Sequence, residues 1–312
     1  MRNPFLTKKR VRKLVQFYNS ERGLKLIPYG LGSSLIHWFC NTKFAQEEFF
    51  AKKIQLLDEY LSMAPYKPDR NEIATGFLRT NFLHGWRTSS LSRLSDKAFN
   101  KRMIFKGLDI FENHYKSGKG IVLLASHYGL PAMSISLFPR LEYDDFYTIM
   151  GEKGAESMKI AGLGGEAKPK MLVFTRDYSS ELFKQLFKAK EILENGGILH
   201  LLGDGYHGRS SVSMEFFGKM RGWRSTFAEL GLGTGAAIIP LWIIPGRKGK
   251  LYIEFHQALD HGDETMDKDD RVAGIVRQYK EMLEQRWEEK PQYINGGFMN
   301  MFIRQVSASH AE

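Results

Sequence analysis

His127 and Asp204 are the residues whose types and settings point to chemistry. Each follows a short, continuous apolar run. Ile121–Ala125 (IVLLA) leads into Ser126-His127-Tyr128-Gly129, and Ile198–Leu202 (ILHLL) leads into Gly203-Asp204-Gly205. An imidazole beside a carboxylate is a general base: the acid fixes the tautomer and steadies the imidazolium once a proton has been taken from an alcohol or amine. Taken singly, each residue has a plainer role. A histidine at a strand end can bond to backbone, and an aspartate between two glycines can simply form a turn. The pairing acquires meaning only if both runs are parallel strands of one sheet, so that both side chains emerge at one edge. Gly129, Gly205 and Gly208 permit close backbone approach and present N–H groups suited to a phosphate or an oxyanion. Downstream, Lys219, Arg221 and Arg224 form a basic knot in FFGKMRGWRST, with Arg209 ten residues ahead of Lys219. Arginine can hold a phosphate in a bidentate fork. Phe216, Phe217, Trp223 and Phe227 interleave with these charges. The combination suits a ligand with phosphate and apolar parts, or single-stranded nucleic acid held by stacking. It suits equally a solvated basic loop whose aromatic side chains sit in the core.

The elements that must position these residues follow from hydrophobic spacing. Residues 1–118 read mainly as helix. Apolar groups recur at helical spacing over Phe44–Met63 and again over Leu91–Tyr115, where Met103, Ile104, Leu108 and Phe111 share a face. From Gly118 the character changes to short apolar runs: Ile121–Ala125, Phe146–Met150, Met171–Thr175, Ile198–Leu202, Ala237–Ile244 and Leu251–Phe255. Such runs fit strands buried on both faces, as in a mostly parallel sheet. Helices are expected between and after them, over Ser180–Asn195 and Asp267–Lys290, the latter stopped by Pro291. The segment Gly231–Gly235 precedes a strand, so it reads as a helix end and not as a dinucleotide fingerprint. The expected architecture is α/β: a mostly parallel central sheet flanked by helices over 119–312, behind a helical N-terminal region over 1–118 whose basic start suits association with a membrane. In such a sheet ligands bind beyond the carboxyl ends of the strands, the edge where His127 and Asp204 would meet.

The chain has 312 residues, 43% of them hydrophobic and 26% charged, enough for a sizeable core and unlike a disordered chain. A single cysteine, Cys40, excludes an intrachain disulfide scaffold and a cysteine-rich zinc site, and fits a reducing compartment. The surplus of 45 Lys and Arg over 35 Asp and Glu gives a formal charge of +10, which favours anionic partners. Leu24–Cys40 is too short and too interrupted for a spanning helix, which needs roughly 20 mostly apolar residues. The first thirteen residues hold six basic side chains and no acid, a run able to attach to anionic lipid.

Three blocks in order, GKGIVLLASHYG, GGILHLLGDGYHGRSSVSMEFFGKMRG and LGLGTGAAIIPLW, resemble the bacterial lipid A biosynthesis acyltransferases, the lauroyl/myristoyl-transferase branch of the lysophospholipid acyltransferase superfamily. The resemblance runs from about Phe77 to Pro291. It implies a glycerolipid-acyltransferase-like fold and transfer of a fatty acyl group from acyl carrier protein or coenzyme A to a hydroxyl, or an amine, of a lipid or glycolipid. His127 matches the family's base. The family's acid, five positions after that histidine, is here Ala132, and its arginine after the next strand is replaced by Gly151-Glu152-Lys153. Asp204 is the expected substitute acid, since a superfamily relative that acylates mannosylated phosphoinositides resembles this LLGD stretch and uses an acid from that region. Tyr128, Gly129, Lys153, Gly205, Arg209, Lys219 and Arg224 are the expected substrate contacts. The resemblance further implies no metal and no tightly bound cofactor, an anionic membrane surface as partner, and a peripheral place on the inner face of the bacterial cytoplasmic membrane. Nucleic acid is not expected among the partners. The alternative is a catalytically silent acyl- or lipid-binding homologue, for which Ala132 is the reason.

Overall fold

The computed structural model describes residues 7–63, 69–152, 154–156, 170–174, 180–205 and 211–308, without the side chains of 247 and 305–308. The chain divides into two compact units. One comprises Met1–Arg102, Pro245–Leu251 and Arg286–Glu312; the other comprises Met103–Ile244 and Tyr252–Gln285.

The second unit is built on a sheet of β1 (Met103–Lys106), β2 (Ile121–Ala125), β3 (Phe146–Gly151), β4 (Lys170–Phe174), β5 (Ile198–Leu202), β8 (Ala237–Pro245) and β9 (Leu251–Phe255), in the order β1-β9-β8-β2-β5-β3-β4. β2 pairs in parallel with β5 on one side and β8 on the other, and β3 lies parallel to both β4 and β5. The five residues of β2 are all buried, as expected of a continuous apolar run covered on both faces. A separate antiparallel pair, β6 (Ser211–Phe216) and β7 (Lys219–Arg224), occupies the segment read from sequence as a basic loop. Its two-residue turn, Phe217-Gly218, has positive φ at both positions (50° and 72°), the geometry that matches the twist of a tight hairpin. The Gly231–Gly235 segment closes the helix Thr226–Thr234, with Gly235 in the left-handed region.

The helix expected over Leu91–Tyr115 is corrected. The helix His84–Ser92 ends, Asp96–Asn100 forms a short turn of helix, and Met103 and Ile104 lie in β1 at the sheet edge. Gly107 breaks the period with a φ of +68°, and a Cβ there would fall 2.4 Å from the Phe255 carbonyl oxygen. Helix resumes only at Leu108–Lys116. The first stretch of the first unit ends at Arg102, just before β1. Over Phe44–Met63 the first six residues wind as a π-helix, Phe44–Phe49, before the α-helix Ala51–Met63.

The first unit is helical. Trp86 anchors one part of its core: Tyr29 stacks on it at 5.8 Å, Tyr18 meets it edge-on at 5.1 Å, and Gly32 sits where a Cβ would come within 2.3 Å of the indole. Trp287 anchors another, against Tyr60, Phe298 and Phe302. Among the described residues no helix is long and apolar enough to cross a membrane.

Candidate functional site

Strand register sets the site. Ala125 at the end of β2 lies opposite Leu202 at the end of β5, so the residues two positions further on, His127 and Asp204, leave the sheet side by side. They meet 77 positions apart in the chain. Asp204 Oδ1 lies 2.8 Å from His127 Nδ1, and Asp204 Oδ2 accepts from the backbone N–H of His127 at 2.6 Å. The carboxylate therefore grips the histidine twice, by ring and by backbone, which fixes the ring's orientation. Accepting from Nδ1–H assigns the basic lone pair to Nε2.

The two partners differ in exposure. The Asp204 side chain is fully buried, whereas 39% of the His127 side chain reaches solvent from a ring otherwise boxed in by protein. Burial alone would lower the imidazole pKa, and Arg221 works in the same direction. The charge and hydrogen bond of Asp204 outweigh them and hold the pKa above its ordinary value. A base raised in this way is stronger but needs a higher pH to be neutral.

Further residues hold the acid in place. Arg221 is buried on β7, its guanidinium 4.0 Å above the Trp223 ring, and its Nη2 donates to the Asp204 carbonyl oxygen at 2.7 Å. From β2's other neighbours, the Tyr279 hydroxyl donates to the Ala125 carbonyl oxygen at 2.7 Å, and Gly203 N–H donates to the same oxygen at 2.8 Å. Gly203 has no room for a side chain: a Cβ would come within 2.6 Å of Leu124 and 2.7 Å of Tyr279. Neither Arg221, read from sequence as a phosphate-gripping charge, nor Tyr279 was foreseen in this role. For Arg221 the missing signal was strand alternation: Arg221 and Trp223 share the inward face of β7, and Met220 and Arg224 the outward one.

A second histidine lies beneath the site. His200, in the middle of β5, is buried between Thr148 Oγ1, 2.9 Å from Nδ1, and Ser134 Oγ, 3.0 Å from Nε2. Ser134 spends its only proton on the Pro131 carbonyl oxygen at 2.6 Å, so Nε2 is the donor to Ser134, and Thr148 donates to Nδ1. Burial lowers its pKa to about 4, so this ring stays neutral and braces the turn Pro131–Met133 that contains Ala132.

The other expected contacts fall in different places. Tyr128 is buried, edge-on to Trp242 at 6.0 Å, which places its ring in the core. Gly129 pairs with Ile243 through a parallel bridge; at φ +75° a Cβ would lie 2.2 Å from the Ile243 carbonyl oxygen, so its lack of a side chain lets the chain after His127 close onto β8. The Gly205 carbonyl accepts from Arg224 N–H at 3.0 Å, so Arg224 is beside the pair, with its side chain exposed. Lys219 opens β7 at the opposite end of the hairpin, about 17 Å further along the strand at ~3.3 Å per residue. Lys153 and Arg209 lie outside the described residues. Two cavities, of about 240 and 170 Å³, are lined by residues other than His127 and Asp204. Among the described residues no group of three His, Cys, Asp or Glu is placed to hold a metal ion.

Residues 69–293 match the family model described as bacterial lipid A biosynthesis acyltransferase. The matched span contains β1–β9 and both members of the His–Asp pair. No curated protein matches the chain.

Proposed function

Since the chain belongs to the bacterial lipid A biosynthesis acyltransferase family, we propose that it transfers a fatty acyl group from an acyl carrier protein or coenzyme A thioester to a hydroxyl of a lipid or glycolipid, with His127 as general base. The observation that carries this reading is the contact of His127 Nδ1 with a buried carboxylate at 2.8 Å. In the proposed step, Nε2 takes the proton of the acceptor hydroxyl as its oxygen attacks the thioester carbonyl carbon. The carbon–oxygen bond forms, the carbon–sulfur bond breaks, and the thiolate leaves with the proton returned by the imidazolium. Asp204 keeps the tautomer correct and stabilises the imidazolium while it carries that proton. Arg221 acts one step back, holding Asp204 by its main chain. Arg224, exposed beside the pair, is the described cation best placed to meet a phosphate of donor or acceptor.

The reading of a silent acyl-binding protein rests on Ala132, where the family has its acid. Asp204, two residues beyond β5, sets a carboxylate on His127 in place of that acid, which supports the active reading over the silent one. A peripheral site of action at the inner membrane face is supported by the exposed apolar side chains Leu14, Phe17 and Leu26 beside the basic residues of the first helices.

The test is thiol release from acyl-coenzyme A or acyl carrier protein by the purified chain in the presence of lipid acceptors. The chain's own Cys40 is buried, and burial pushes its thiol up to about 12, so it adds little to a thiol-reagent signal. His127→Ala should lower turnover about 100- to 10,000-fold with folding intact. Full activity in His127→Ala defeats the assignment of the base. Retention of a bound acyl chain by wild type, with no thiol release, favours the silent protein.

A further inference from the structure

The first unit contains a cavity of about 240 Å³ lined by Tyr29, Ser33, His37, Arg79, Arg87 and Lys248 together with Gly246, Gly249 and Lys250, whose Nζ donates to the Lys101 carbonyl oxygen at 2.7 Å. That is room for about eight waters at about 30 Å³ each, more than a phosphate group needs. No carboxylate lines it. Arg87 comes from the helix His84–Ser92 and is only 3% exposed. Its Nη2 donates to the Arg79 carbonyl oxygen at 2.7 Å, but its Nη1 is buried with no hydrogen-bond partner among the described residues. The Nε of Arg79 is in the same condition. Burial is the main cause of a downward shift in the Arg87 pKa; Tyr29 opposes it and Arg79 adds to it. Lys248 contributes a further cation from a backbone position at φ 52°, a strained conformation for a residue other than glycine.

A buried guanidinium without a counter-ion is unfavourable, and a second beside it makes it more so. An anion with several acceptor oxygens relieves both at once. Two arginines and a lysine around one cavity exceed what a single carboxylate needs and match a phosphate, whose oxygens take bidentate arginine contacts. The source of that phosphate is indicated by the helix Tyr29–Cys40. One of its faces lines the cavity with Ser33 and His37. Further round the same helix, past Ser34 at the cavity's edge, Leu31, Leu35 and Trp38 are exposed at 57, 44 and 56%. An apolar stripe with a tryptophan beside a phosphate-sized basic cavity is the pattern of a surface that meets lipid at headgroup level.

The structure assigns this cavity, we infer, as a binding site for the phosphate group of a membrane lipid, held by Arg79, Arg87 and Lys248 while Leu31, Leu35 and Trp38 face the acyl layer. The inference does not depend on the acyl-transfer reading, because every residue in it belongs to the first unit and none is in the His127–Asp204 pair.

The experiment uses the full chain and measures binding to phosphatidylcholine vesicles with and without phosphatidic acid, and to inorganic phosphate by calorimetry. The variants are Arg79→Gln, Arg87→Met and Lys248→Gly, with Lys52→Gln as an exposed lysine outside the cavity. Saturable binding that requires phosphatidic acid, weakened about tenfold or more by Arg79→Gln and by Arg87→Met and unchanged by Lys52→Gln, is the expected result. Lys248→Gly relieves backbone strain while removing a charge, so it keeps the test decisive if Arg87→Met fails to fold. Equal weakening by all four variants means diffuse attraction and overturns the site. Binding of inorganic phosphate without vesicle uptake overturns the lipid as its source.

Discussion

Replacing Asp204 by asparagine exchanges one oxygen of a fully buried carboxylate for an NH2 group and tests the proposed chemistry directly. In the native site both carboxylate oxygens accept, one from the His127 backbone N–H at 2.6 Å and one from the ring at 2.8 Å. Asparagine has one accepting oxygen and one donating NH2. If the oxygen keeps the backbone N–H, the NH2 faces Nδ1, and the imidazole must carry its proton on Nε2 to accept there. That tautomer cannot take a proton from a hydroxyl. The expected fall in kcat is about a thousand- to ten-thousand-fold, as when a triad aspartate is amidated elsewhere. If the ring keeps the oxygen, a buried backbone donor faces an NH2 instead, at a cost of about 1–3 kcal/mol in stability. The pH profile supplies a second readout. Loss of the Asp204 charge leaves burial and the Arg221 charge unopposed, so the His127 pKa drops from its raised value and the acid limb of residual activity moves to lower pH. The same group contributes to folding in the opposite sense. With a raised folded pKa, His127 adds stability that is fully present below the ordinary imidazole pKa and is lost as pH rises through the raised one; the asparagine variant lacks that increment. Thiol release against pH, with urea unfolding in parallel, measures both. Turnover within a few-fold of wild type in a folded variant, or an acid limb that does not move, would refute the orienting role of Asp204.

Gly129→Ala is expected to destabilise the fold by about 2 kcal/mol or more in urea unfolding, because it combines a positive φ with a Cβ 2.2 Å from the Ile243 carbonyl oxygen. Arg221→Lys loses the fork that reaches the Asp204 carbonyl and its seat over Trp223; kcat should fall about tenfold with KM little changed, and a loss confined to KM would place Arg221 on substrate instead. His200 is held to a pKa of about 4 by burial, below its ordinary 6.5, so the unfolded chain takes up a proton that the folded one refuses. Stability is therefore full above the ordinary value and falls by roughly 3 kcal/mol as pH drops toward about 4. His200→Gln should flatten that acid limb in unfolding midpoints compared between about pH 7 and about pH 4.5, and an unchanged limb would show that other groups set it.

The sheet that carries the pair was readable in the sequence because parallel strands buried on both faces leave uninterrupted apolar runs, and the first polar residues after Ile121–Ala125 and Ile198–Leu202 had to leave the sheet together. The details resting on local backbone geometry or on alternation were harder. Met103 and Ile104 fitted a helical period, and only pairing with β9 makes them strand. The hairpin turn is Phe-Gly and not the asparagine- or aspartate-glycine that signals such a turn, so a phenylalanine at φ 50° hid it. Arg221 read as one of three equivalent charges, though period 2 separates it from Arg224. The support from Tyr279 comes from a helix more than 150 positions away from Ala125, a contact that spacing along the chain does not encode. The cavity of the first unit was equally silent, since Arg79, Arg87 and Lys248 belong to three separate segments.

Drawing the acid from β5 and not from the turn after the histidine changes when reactivity arises. Where acid and base share one helical turn, a short peptide already holds both. In this chain the proposed base and the carboxylate that orients it are brought together by the closing of neighbouring strands. A nascent chain still short of β5 has an imidazole with no partner, and a proteolytic nick between the strands leaves neither product competent by itself. Under the proposed mechanism, competence for chemistry is thus acquired in the same event as the docking of the sheet's centre, and nothing short of the assembled sheet has it.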